Sequence, residues 1–323
     1  MQHDKRYLKP IAAIILLGLF LGGCGQATRQ SGEGELSGTL TISGAWALYP
    51  MMVRWGEEFH ALHPDVEFDI SAGGAGKGMA DALAGAVDVG MVSRSIHQEE
   101  IDQGAFWVTV TTDAVVPTVN AHNPHLARLQ AQGLTRATFE AIWMGQVKTW
   151  GQAIGDLTVN DEIHVYTRSD ACGAAETWAA YLGDYRQEDL QGVAVYGDPG
   201  LASAVTQDAL GVGYNNLNFA YDADTGQPIA GLQIIPMDVN ENGQVDAEES
   251  FYATKTELTA AIGDGRYPSP PARGLNVVTK GKPDGLTLAF VRWILTDGQA
   301  FANETGYIPL TEAQAQAELA KLE

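Results

Sequence analysis

The sequence predicts an α/β fold with a largely parallel sheet, and three observations point to it. Short apolar strands, loops and helical patterns follow one another in repeated strand–loop–helix units. With 45% hydrophobic residues, the chain can build a substantial core. Beyond an N-terminal leader and tether, roughly 285 residues remain, enough for one large domain or two of medium size.

The elements follow in order. Residues 40–43 form a short apolar strand, and a turn over 44–50 leads into a helix over 51–62. Residues 66–70 alternate as a second strand. The glycine-rich loop at 73–78 then opens a helix of small residues over 79–86, and 87–92 is a third strand. Ligands in such sheets sit beyond the carboxyl ends of the strands, so these three loops should converge on one site. A second block follows 115–120, with a helix at 138–144, a strand at 163–167 and a helix at 174–182. More sheet comes from 211–214 and 233–236. After the rigid Pro268-Ser-Pro-Pro271, residues 274–279 form a strand, and 286–295 and 311–322 are helices. There is no internal repeat.

Lys5, Arg6 and Lys9 precede an apolar run over 11–21 that is too short to span a bilayer, so the start reads as a signal peptide over 1–23. Its Leu21-Gly-Gly-Cys24 ending is similar to a bacterial lipobox, implying cleavage before Cys24 and a lipid anchor on its thiol. Residues 24–37, rich in Gly, Ser and Gln, form a flexible tether reaching roughly 20 Å. Removing 1–23 leaves 16 basic against 39 acidic side chains, a net charge of −23. That balance excludes nucleic acid and anionic lipid surfaces as partners. An anionic ligand would gain no long-range attraction and would need a locally positive pocket. With Cys24 lipidated, only Cys172 remains and no intramolecular disulfide can form.

Arg168-Ser-Asp-Ala-Cys-Gly-Ala-Ala-Glu-Thr177 is the most informative segment. It sets an arginine and a carboxylate just before small residues that open a helix. The unpaired N–H groups of a helix start make an oxyanion cradle, and an arginine fork adds charge and geometry. Two enzymatic readings are unfavoured. Trp178 stands where a cysteine phosphatase would carry an arginine, and Cys172 has no nearby histidine, so it reads as a buried, inert thiol. Lys77 is followed by Gly78, not Ser or Thr, so the glycine-rich loop is not a nucleotide motif.

The order of motifs resembles the periplasmic phosphate-binding protein family, the substrate-binding lipoproteins of phosphate ABC transporters. The likeness runs through Ser43-Gly-Ala-Trp-Ala-Leu-Tyr-Pro50, Val87-Asp-Val-Gly90, the 139–150 run with Ile142, Gly145 and Trp150, the segment from Arg168 to Gly173, Gly211-Val-Gly-Tyr214, and Gly306-Tyr-Ile-Pro-Leu310. It implies a two-lobe periplasmic binding protein fold of type II, with two crossing strands as hinge at 115–120 and about 275–279. Lobe 1 would comprise 38–116 plus 276–323, and lobe 2 would comprise 117–275.

The resemblance also implies a ligand site at Leu48, Ala75, Gly76, Ser93, Arg168, Asp170, Cys172, Gly173 and Ala174. Leu48 replaces a threonine, Ala75 a serine, Cys172 a serine and Ala174 a threonine. Ser93 replaces the carboxylate that accepts the proton of hydrogenphosphate. Arg168 matches the phosphate-clamping arginine, and Asp170 the aspartate that braces it. The backbone of Ala75 and Gly76 can still donate. Each lost hydrogen bond to a charged group is worth about 1.5–3 kcal/mol, so altered specificity is expected. Lys77, Arg94, Ser43, Trp46 and Thr177 are candidate replacements. The expected function is a surface-anchored, monomeric solute-binding lipoprotein serving an ABC permease, with phosphate or a related small oxyanion as ligand and no catalytic residues. The alternative is a sensing or adhesion lipoprotein with a vestigial pocket.

One motif lies outside that resemblance. Asp238-Val-Asn-Glu-Asn-Gly-Gln-Val-Asp-Ala-Glu-Glu249 fits the twelve-residue calcium loop. Asp238, Asn240, Asn242 and Asp246 supply positions 1, 3, 5 and 9. Gly243 makes the turn, Gln244 offers a carbonyl at position 7, and Glu249 is bidentate at 12. Val245 would pin the loop to the body. Calcium is expected there as a structural clip.

Overall fold

The computed structural model describes residues 36–323; the leader, Cys24 and the tether up to residue 35 lie outside the described residues. Nine strands are described: β1 Gly38–Gly44, β2 Val66–Ala72, β3 Val89–Val92, β4 Ala105–Asn120, β5 His164–Arg168, β6 Val193–Val195, β7 Gly211–Asn216, β8 Leu232–Ile234 and β9 Ala272–Lys280. The helices are α1 Tyr49–Leu62, α2 Ala75–Ala84, α3 Gln98–Asp102, α4 Leu126–Gln132, α5 Arg136–Trp143, α6 Trp150–Ile154, α7 Gly173–Leu182, α8 Gly197–Gln207, α9 Leu217–Ala220, α10 Lys255–Gly263, α11 Gly285–Leu295 and α12 Glu312–Lys321.

The strands pair in the order β2-β1-β3-β9-β4-β7-β5-β6, with β8 also on β4. The sheet is α/β as predicted but mixed rather than largely parallel. β1 pairs in parallel with β2 and β3, and β5 with β6 and β7. Every pairing of β4 or β9 is antiparallel. The physical reason is connectivity: a chain that leaves one lobe along β4 must return along β9, so the two run against each other.

Two apolar cores flank these strands. Trp55, Phe59, Phe290 and Trp293 anchor the first, where Phe290 and Trp293 stack with centroids 6.3 Å apart. Phe139, Trp143, Trp178 and Tyr214 anchor the second, where Trp178 and Tyr214 stack at 5.9 Å. Truncating one such ring to alanine costs about 3–5 kcal/mol. Along β4, Val108 and Val110 enter the first core, whereas Ala114, Val115, Val116 and Val119 enter the second. Along β9, Ala272 belongs to the second core and Leu275, Val277 and Val278 to the first. The strands therefore cross from one core to the other between residues 110 and 114 and between 272 and 275, a few residues earlier in the chain than the crossings expected at 115–120 and about 275–279, because Ala114, Val115 and Val116 already pack in the second core and Leu275 in the first.

Local sequence explains the helices that frame the site. Pro50 in the first turn starts α1, whose buried face is Met51, Met52, Trp55 and Phe59, a helical spacing. The glycine-rich segment is mostly helix rather than loop: α2 begins at Ala75, so its first turn faces the other lobe directly. α7 begins after Cys172, whose Sγ accepts the Ala175 N–H at 3.3 Å as an N-cap.

Candidate functional site

The carboxyl ends of β1, β3, β5 and β7 and the first turns of α2, α7 and α8 meet between the cores. At their centre is Arg168, the last residue of β5, with a fully buried side chain. Its Nε donates to Asp170 Oδ1 at 2.7 Å and its Nη2 to Asp170 Oδ2 at 2.6 Å, the bidentate brace the sequence suggested. A second carboxylate was not foreseen. Asp198, in the first turn of α8, accepts from Arg168 Nη1 at 2.5 Å. It also accepts from the N–H of Asn216 at 3.1 Å and from its Nδ2 at 2.8 Å. Burial alone would lower the Arg168 pKa, but Asp198 and Asp170 overcome it and the guanidinium is held charged. One arginine between two aspartates leaves the cluster with a net negative charge.

The helix starts meet each other across the lobes. The Gly76 N–H of α2 donates to Ala171 O at 3.0 Å, so this donor is already taken. The N–H groups of Ala75, Gly173 and Ala174 have no hydrogen-bond partner among the described residues. Gly173 must be glycine because a Cβ there would collide with Ser93 O and Oγ of the opposite lobe. Cys172 is buried, and desolvation, opposed by Arg168, pushes its thiol up to about 12. Burial and the raised thiol both fit the inert reading. Leu48 and Ala75 are fully buried in the first core and Ala174 in the second, so these three offer backbone rather than side chain.

The candidate replacement donors are mostly occupied elsewhere. Lys77 pairs with Asp81, which also accepts from Ser43 Oγ at 2.6 Å. Arg94 pairs with Glu100 at 2.6 Å and reaches across to Glu176 of α7 at 3.1 Å, and His97 meets Glu176 at 3.0 Å. These contacts rim an interlobe cleft of about 640 Å³ to which Glu99, Glu100, Glu176 and Glu188 contribute. Thr177 is buried within α7. Trp46 does reach the lobe interface, edge-on to Tyr196 and Phe219 at 6.3 Å each.

The hinge supplies a second charged group. Asp113 of β4 and Arg273 of β9 stand directly opposite in the ladder, with Nη1 and Oδ2 4.0 Å apart. Arg273 bridges the lobes, donating from Nε to Ser93 O at 2.9 Å and from Nη2 to Asn216 Oδ1. The sequence signal for this pair was available: Asp113 stands among the apolar and hydroxyl residues of β4, and Arg273 next to the apolar run of β9, where unpaired charges are rare.

The 238–249 segment folds back on itself. Asp238 accepts from the N–H groups of Asn242 and Gly243, and Glu249 from those of Val239 and Asn240. Gly243 makes the turn at φ +81°. The Val245 N–H bonds Ala131 O at 3.0 Å, tying the loop to α4. Asp246 takes the side-chain amides of Asn240, Asn242 and Gln244 at 2.7–3.2 Å. Among the described residues, no three His, Cys, Asp or Glu side chains converge as a metal-ligand group.

A family model described as the PBP superfamily domain matches residues 29–298. The phosphate-binding protein PstS of Bacillus subtilis (strain 168) is 25% identical over 321 residues, covering 97% of this chain and 96% of its own length. PstS of Xylella fastidiosa (strain Temecula1) is 26% identical over 320 residues, covering 88% and 84%. Among solved structures, a protein assigned as a phosphate ABC transporter substrate-binding protein, from Clostridium perfringens with bound phosphate, superposes with TM-score 0.68 at 21% identity. It covers 85% of this chain and all of its own. An ABC-type phosphate transport receptor from Vibrio cholerae gives TM-score 0.59 at 20% identity, covering 84% and 100%. At these identities the two structures speak to the fold.

Proposed function

The chain belongs to the PBP superfamily domain family, and from that premise we propose that it is an extracytoplasmic solute-binding lipoprotein of an ABC importer. It takes phosphate or a related small oxyanion between its lobes, is held at the membrane by lipid on Cys24, and works as a monomer. The observation that carries this reading is the convergence of a buried arginine with helix starts from both lobes. Arg168, the free N–H groups of Ala75, Gly173 and Ala174, and the hinge arginine Arg273 all lie along one interlobe seam. Near-full-length likeness to proteins named for phosphate binding supports the ligand class. Closure of the lobes would bury the solute and present a joined surface to a permease. Calorimetry with phosphate, sulfate and small carboxylates tests it: heat with at least one is expected, and silence with all three sinks the oxyanion reading.

A second reading draws on one observation. Asp170 and Asp198 already neutralise Arg168, which favours a sensing or adhesion lipoprotein whose anion pocket is vestigial. Native mass spectrometry of the purified protein separates the two, because a transport receptor should carry its solute.

The loop at 238–249 is proposed as a structural calcium clip. The support is its donor chemistry: Asp238 and Glu249 are buried carboxylates, and the amides on Asp246 present N–H where a cation would turn their carbonyl oxygens inward. Calcium should raise the melting temperature of chelator-treated protein, and Glu249→Gln should remove that rise. An unchanged melt on adding calcium refutes the clip.

A further inference from the structure

The sheet that carries the first core ends in an open edge. β2 pairs with β1 in parallel over all seven of its residues, from Gly38↔Val66 to Gly44↔Ala72, and no strand lies on its other side among the described residues. An edge strand of this kind presents a row of unpaired N–H and C=O groups. Among the described residues, 67–72 make no backbone hydrogen bond to an element other than β1. Such edges are commonly closed by a proline, a bulge or lysines. Val66-Glu-Phe-Asp-Ile-Ser-Ala72 has no proline and no basic residue, and its register with β1 runs without a bulge.

A groove of about 330 Å³ runs beside this edge. Tyr49 and Val53 of α1 and Phe68 and Ile70 of β2 give it a half-buried apolar lining, Glu57 and Glu67 give it negative charge, and no lysine or arginine lines it. Tyr49, Val53 and Glu57 recur at helical spacing, which puts them on one face of α1. Exposure alternates along β2: Glu67 and Asp69 are exposed, whereas Phe68 and Ile70 turn toward α1, where both would press on a Cβ at Gly56. The arginine of α1, Arg54, pairs with Glu58 and Glu304, and among the described residues no basic side chain pairs with Glu57, Glu67 or Asp69.

We propose that this edge and groove dock a partner protein through an extended, basic segment that adds as a further strand on β2. Alternate apolar side chains of that segment enter the groove over Phe68 and Ile70, and the Lys or Arg side chains between them lie beside Glu67 and Asp69. The open backbone edge calls for an extended occupant, because a helix satisfies its own N–H and C=O groups and leaves those of β2 unpaired. The one-sided charge calls for a basic one. A second copy of this chain fits poorly: two β2 edges together would set Glu67 and Asp69 against their own kind, and the net charge of −21 adds repulsion. The surface belongs to the edge of one lobe's sheet, so it does not depend on which solute the protein binds.

The probe is the acetylated heptapeptide Lys-Val-Lys-Val-Lys-Val-Lys, followed by fluorescence anisotropy at physiological salt and by amide hydrogen exchange of the whole protein. The comparison peptide, Lys-Lys-Lys-Lys-Val-Val-Val, has the same charge and composition without the alternation. The alternating peptide should bind, slow exchange at the amides of residues 67–72, and bind about 10-fold more tightly than the block peptide, a difference that one or two backbone hydrogen bonds supply. Glu67→Lys combined with Asp69→Lys changes only exposed side chains and should weaken the alternating peptide by about 5-fold or more. Absence of binding at millimolar peptide, protection confined to other segments, or unchanged affinity in the double variant overturns the proposal. Equal affinity for the two peptides also overturns it, because that is mere attraction to an acidic surface. Dimerisation of the protein without peptide in analytical ultracentrifugation, abolished by the double variant, would assign the edge to a second copy and overturn it as well.

Discussion

Asp113→Asn should make this protein more stable at neutral pH. The carboxyl is wholly buried, and desolvation, opposed by Arg273, pushes it up to about 6 from 3.8. In the folded protein the group therefore holds its proton more tightly than in the unfolded chain. Between about pH 4 and 6 the native state binds more protons, so this group's contribution to stability falls as pH rises. Below that window it is neutral in both states and costs nothing; above it the full penalty applies, roughly 3 kcal/mol. Other carboxylates add slopes of their own, so the informative quantity is the difference between wild type and variant. Urea unfolding from pH 4 to 7.5 should show the variant gaining up to about 3 kcal/mol on wild type as pH rises. A difference that does not change with pH, or a variant less stable at pH 7, would refute the claim that burial of the Asp113 charge outweighs its attraction to Arg273.

Other perturbations probe the rest of the seam. Asp198→Asn removes one of two carboxylates on Arg168, but Asp170 stays bidentate, so urea unfolding should register a loss of about 2–4 kcal/mol, less than that of an orphaned buried charge. The same variant should bind phosphate more tightly by calorimetry, because a competing carboxylate is gone. Cys172, its thiol pushed up to about 12, should resist maleimide at pH 8 in the folded protein and react once urea unfolds it; rapid native labelling would contradict its burial. Gly173→Ala drives a methyl into Ser93 and should cost about 1–3 kcal/mol while holding the lobes apart, seen as a larger radius of gyration in small-angle scattering.

Local patterns in the chain carried much of the site's frame. Arg168 and Asp170 are two residues apart at the end of a strand, so their pairing is a matter of nearest neighbours, and the N-cap position of Cys172 follows from the small residues after it. The motif at 238–249 likewise states its own turn and its own carboxylates. Other features were hidden for physical reasons. Asp198 lies thirty residues from Arg168 along the chain, and only the packing of α8 against β5 brings it to the guanidinium. The alternation of β4 gives way to continuous apolar residues where it enters the second core, which masked a strand of 16 residues as a short one. Gly76 looked like a free donor, yet closing the lobes gives its N–H to Ala171.

The sequence by itself determined the α/β class, the arginine with its adjacent brace, and the small residues that let two helix starts approach, because each depends on neighbours within a few positions. Tertiary structure decided the antiparallel hinge, the second aspartate on Arg168 and the facing of Asp113 on Arg273. Those depend on strand pairing and lobe closure, which join residues 30 to 180 positions apart and convert lone charges into a shared field.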